Sequence, residues 1–107
     1  DTGMFKERHY RNGKGSFSYD LKNNNLEARK LRITYFGADK NRNFDIFVNE
    51  VLVATLNMDG SEGNQFIDKI IELPAAILDG KSKILQVQFK AKPNSSITGI
   101  YEVRLLR

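Results

Sequence analysis

The chain has 107 residues, 40% of them apolar and 28% charged, with 17 Lys and Arg against 13 Asp and Glu. That length supports one hydrophobic core and would leave two only marginal, so a single domain over residues 1–107 is expected. Cysteine is absent and His9 is the one histidine, which removes disulfides, thiolate metal sites, cysteine nucleophiles and His-rich clusters together.

In chain order, residues 4–9 read as an edge strand, followed by turn chemistry at Asn12-Gly13-Lys14-Gly15. Phe17, Tyr19 and Leu21 then alternate with Ser16, Ser18 and Asp20, the period of a strand with one face buried. Leu31, Ile33 and Tyr35 alternate with Lys30, Arg32 and Thr34, and Phe44, Ile46 and Val48 form a third set. Asn49-Glu50 is short enough for a two-residue hairpin, and Asn tolerates the positive φ that such turns need. Residues 51–58 and 66–73 are two further strands, separated by the polar loop 59–64, which reads as a crossing between sheets. One helical turn is expected over residues 74–79, ended by Gly80. Leu85, Val87, Phe89 and Ala91 alternate with Gln86, Gln88 and Lys90, and the last run sets Tyr101, Val103 and Leu105 against Glu102 and Arg104. Seven or eight strands at this spacing, with connections of unequal length, predict an all-β, two-sheet antiparallel β-sandwich of jelly-roll type. Most of the Phe and Tyr residues are expected on the core face.

The residues that carry chemistry point away from catalysis. His9 lies among Arg8, Tyr10 and Arg11 with no G-x-S-x-G motif in the chain, so a nucleophilic triad has no base. Asp20, Asp45, Asp68 and Glu72 are the carboxylates that a glycoside-hydrolysing pair would draw on, but their spacing singles out no two of them. Loop 59–64 offers oxygens to calcium without EF-hand spacing, and Gly13-Lys14-Gly15-Ser16 is followed by no helix that would cradle phosphate. No metal and no cofactor is expected. The formal charge of +4 could attract a polyanion, yet the basic residues run evenly from Lys6 to Arg107, which reads as solvated sheet rather than a nucleic-acid surface. No apolar run approaches the roughly 20 residues that cross a bilayer as a helix. Sugar sites combine an exposed aromatic with polar groups, and Tyr10, Arg11 and Asn12, with Asn41 and Arg42, are the loop groups suited to carbohydrate. The absence of Trp counts against a stacking platform.

Four segments carry a resemblance: Gly15-Ser16-Phe17-Ser18-Tyr19-Asp20-Leu21, Leu31-Arg32-Ile33-Thr34-Tyr35-Phe36-Gly37, Asn43-Phe44-Asp45-Ile46-Phe47-Val48-Asn49, and the closing Gly99-Ile100-Tyr101-Glu102-Val103-Arg104-Leu105-Leu106-Arg107. In order and spacing the series resembles the C-terminal β-sandwich domain of bacterial β-L-arabinofuranosidase-type glycoside hydrolases, common in gut Bacteroidetes. The resemblance implies an accessory domain, cut from a longer periplasmic or extracellular enzyme, that packs on and stabilises the catalytic domain of the same polypeptide or a second subunit. A carbohydrate-binding module is the alternative. It implies no catalytic residue here, since that family's chemistry lies in a separate barrel. Tyr19, Asp20, Asp45, Tyr101 and Arg104 match as structural positions, with Asp45 or Asp20 expected to bond an arginine. Phe17 stands where the family pattern often has Trp.

Overall fold

The computed structural model describes the backbone of residues 2–5, 8–13 and 15–107, and the side chains from Gly15 onward. Among the described residues nine strands and one helical turn follow in order: β1 (Thr2–Phe5), β2 (Arg8–Gly13), β3 (Ser16–Lys22), β4 (Lys30–Phe36), β5 (Lys40–Val48), β6 (Val51–Asp59), β7 (Phe66–Glu72), α1 (Ala75–Leu78), β8 (Ile84–Ala91) and β9 (Ile97–Leu106). The seven strands from β3 onward are those that alternation predicts. The edge strand expected at the N-terminus is instead two paired strands, β1 and β2, with Lys6, Glu7 and Lys14 outside the described residues.

All pairings are antiparallel, in a five-stranded sheet of order β1-β2-β9-β4-β7 and a four-stranded sheet of order β3-β8-β5-β6. The pairs β2–β9, β3–β8, β4–β7 and β5–β6 are the rungs of one long hairpin with its tip at β5–β6. Wound so that successive rungs fall in alternate layers, this hairpin is a jelly roll, as expected. Each connection from β3 to β4, β4 to β5 and β6 to β7 therefore crosses between sheets, the last through residues 60–65.

The core is the set of inward positions that alternation marks: Phe17, Leu31, Ile33, Tyr35, Phe44, Ile46, Val48, Leu85, Val87 and Phe89, joined by Leu56, Met58, Ile71, Ile97 and Ile100. Phe89 stands at its centre, stacked on Phe17 at 5.2 Å and edge-on to Tyr19 at 6.1 Å. Two buried hydroxyls are satisfied as burial requires: Thr34 donates to Asp68 at 2.6 Å and Thr98 donates to Asp39.

Two local features depart from the sequence expectation. β9 carries a bulge, since Thr34 pairs with Glu102 while Tyr35 pairs with Ile100. The extra residue, Tyr101, leaves the core phase of Val103 and Leu105 and turns to the outer face, edge-on to Phe66 at 4.9 Å. Phe66 in turn meets Phe36 at 5.4 Å, so four of the nine described Phe and Tyr residues (Phe36, Phe47, Phe66 and Tyr101) lie outside the core cluster. The helical turn ends at Leu78 with Asp79 as its cap, and the left-handed residue beyond it is Lys81 rather than Gly80.

Candidate functional site

An open groove of about 940 Å³ lies on the outer face of the four-stranded sheet. Asp45, Phe47 and Lys90 form its floor; Ala91 at the end of β8 and residues 92–96, between β8 and β9, form one wall; Gly15 and Asn41 stand at the rim. The floor follows from strand register. In β5 the even positions Phe44, Ile46 and Val48 are fully buried, which turns Asp45 and Phe47 outward. In β8 the inward Val87 and Phe89 likewise turn Gln88 and Lys90 outward. Register then sets Lys90 beside Asp45, and Gln88 and Leu52 on either side of Phe47. The result is a partly buried aromatic ring among amide, carboxylate and ammonium groups.

The wall is held by a hydrogen-bond network. Pro93 and Asn94 make the turn, with Asn94 at φ 61° and Ser95 N–H donating to the Lys92 carbonyl at 3.1 Å. The Ser95 hydroxyl accepts from Asn43 N–H at 2.8 Å and donates to the Asn41 carbonyl at 3.2 Å. Arg42 Nη1 donates to the Ser96 hydroxyl at 3.1 Å. On the floor the Asp45 carboxylate has two partners, Thr55 Oγ1 at 2.7 Å and Lys92 Nζ at 3.3 Å. The resemblance implies an arginine partner for Asp45 or Asp20, and among the described residues neither has one. At Asp45 a lysine takes that place because the β8–β9 loop, not a neighbouring strand, supplies the cation.

Of the residues the sequence singles out for carbohydrate, Asn41 lines the groove and Arg42 braces its wall. Tyr10, Arg11 and Asn12 belong to β2 of the other sheet, and their side chains, like that of His9, lie outside the described residues. The strand that bears them nevertheless ends at the same pole of the sandwich, where Gly13 pairs with Ile97, next to Ser96. Tyr19 packs against the core, and Asp20 is exposed on β3. Arg104 is exposed beside Glu102, which also meets Arg32 on the outer face of the five-stranded sheet. The candidate acids are dispersed: Asp45 and Asp20 lie on the four-stranded sheet, and Asp68 and Glu72 lie on β7 of the five-stranded one.

Phe47, Lys90, Lys92 and the two serines were not singled out by sequence. The signal for Phe47 was present: it is a large aromatic on the polar phase of an otherwise regular strand. The serines carry no such mark, since only the fold brings residues 95 and 96 to residues 41–43. The two carboxylates of loop 59–64 each already accept a hydrogen bond. Asp59 accepts from Ser61, whose hydroxyl and backbone N–H hold its carboxyl below the usual range. Glu62 accepts from Tyr35 Oη at 2.8 Å. No group of three potential metal ligands occurs among the described residues.

No curated protein matches the chain. Among solved structures, a family 35 carbohydrate binding module from an environmental isolate shares the fold with a TM-score of 0.51 and 14% sequence identity. The match covers 92% of this chain and 64% of that one, so the chain spans just under two thirds of its length. Residues 1–106 match the family described as a family of unknown function, DUF6805. The chain belongs to the DUF6805 family.

Proposed function

We propose that the domain is a non-catalytic carbohydrate-binding module, that a glycan lies in the groove on the four-stranded sheet, and that the module serves a glycoside hydrolase as an accessory domain. The observation that carries the reading is Phe47, a partly buried ring on the floor of an open groove among Asp45, Lys90, Asn41 and Ser95. Sugar rings offer an apolar face to an aromatic and hydroxyls to surrounding donors and acceptors, and the groove supplies both. The shared fold with a family 35 carbohydrate binding module supports it. Attachment to an arabinofuranosidase-type enzyme, and with it a periplasmic or extracellular setting, rests on the resemblance of the four sequence segments. The absence of Cys and the single His support a role without chemistry of its own.

A second reading, a scaffold packed on the catalytic domain of the same polypeptide, draws on Ile70, which is 46% exposed on the outer face of the five-stranded sheet. A glycan array probed with the isolated chain separates the two. The binding reading predicts saturable hits that Phe47→Ala weakens more than tenfold, the scale of losing a central aromatic anchor. Silence across the array, with a truncated parent enzyme regaining thermal stability when the chain is added, favours the scaffold.

A further inference from the structure

Charge in the groove is unevenly satisfied. Among the described residues its lining contains two lysines, Lys90 and Lys92, and a single carboxylate, Asp45. Asp45 is already occupied, one oxygen accepting from Thr55 and the other facing Lys92. Lys90 sits beside Asp45 in the strand register yet forms no ion pair with any described residue. The Arg42 guanidinium, held by Ser96 at the wall, adds a third cation nearby, and its Nε has no hydrogen-bond partner among the described residues. Asp20, the carboxylate on β3 of this sheet, is opposite Gln86, four positions along the strand from Ser16, which faces Lys90. An uncharged ligand would leave this surplus to solvent. One bearing negative charge would pair with it, in a groove whose wall lowers screening relative to a flat surface.

Resting on the carbohydrate-binding reading above, we infer that the groove selects an anionic glycan, with sugar units that carry carboxylate or sulfate groups. The ring of one unit lies against Phe47, and the charged group of that unit or its neighbour meets the Lys90 ammonium. Lys92 contributes less, because Asp45 already neutralises it.

The test titrates the 107-residue chain with polygalacturonate, a sulfated galactan and a neutral galactan of matched length, at low and at physiological ionic strength. At least one charged polymer is expected to bind roughly tenfold tighter than the neutral one, the scale of one charge-assisted hydrogen bond. That preference should shrink as salt is added, and the stronger of the two charged arms names the group. Lys90→Gln should abolish the preference without changing the melting temperature, whereas Phe47→Ala should weaken all arms alike. Equal binding of charged and neutral polymers, or a preference unchanged in Lys90→Gln, would overturn the inference and leave the binding module standing. Absence of binding to all three, and to a general glycan array, would overturn both.

Discussion

At Gly37 the crossing from β4 to β5 passes so close to the loop between β6 and β7 that no side chain fits. A Cβ there would stand 2.8 Å from Glu62 Cβ and 3.0 Å from the Gly63 carbonyl oxygen. Gly37→Ala is therefore expected to cost about 1–3 kcal/mol, read as a fall in Tm of roughly 4–8 °C per kcal/mol in a domain of this size. The same loop is fastened from inside by Tyr35, which is 1% exposed and donates its hydroxyl to Glu62. Burial first, then the hydrogen bond and charge of Glu62, push the Tyr35 phenol above the ordinary tyrosine range. Since the folded-state value is raised, the stability that Tyr35 contributes is whole below the unfolded value of about 10 and declines as pH rises beyond it. Chemical denaturation of the protein and of Tyr35→Phe should thus differ by about 1 kcal/mol at neutral pH, with the gap narrowing above pH ~10. A gap that widens with alkali would contradict this placement of Tyr35.

The turn joining β5 to β6 shows what a short element can and cannot declare in advance. Asn49 and Glu50 both have positive φ, 46° and 69°, the signature of a two-residue turn whose twist matches its strands. Asn accepts that conformation readily, but Glu carries a Cβ into it at a cost of about 1 kcal/mol. Glu50→Gly is expected to raise stability by about that amount, seen as a higher Tm, and a lower Tm would mean that the Glu50 side chain has a role beyond the turn. Strand positions were legible for a related reason. Phe17, Ile33, Ile46 and Val87 each sit in a run whose alternation fixes both the strand and its buried face. The bulge at Tyr101 was not legible, because one inserted residue leaves local alternation intact and shows only against the partner strand. The groove was half legible. Asn41 and Arg42 were visible as polar loop residues, while Ser95 and Ser96 reach them only through pairings more than fifty residues apart in sequence.

Across the whole molecule, one wound hairpin puts its two layers back to back, so a single core must hold both. Phe89 touches Phe17, Tyr19 and Phe44 and is fully buried, and Phe89→Ala should cost about 3–5 kcal/mol. In a domain whose total stability is of order 5–15 kcal/mol, that loss should lower the urea midpoint by about a fifth or more. Phe47 lies one position from the end of β5, on the opposite side of its strand from this core, which allows it to be given over to a ligand. The central claim is that a glycan occupies the outer face of the four-stranded sheet. The most direct measurement is amide chemical-shift mapping during titration with a glycan identified on the array. The account predicts shifts confined to Asp45, Phe47, Gln88, Lys90, Ala91 and the loop over residues 92–96. Shifts centred instead on β4, β7 and β9 of the five-stranded sheet, with those residues silent, would contradict it.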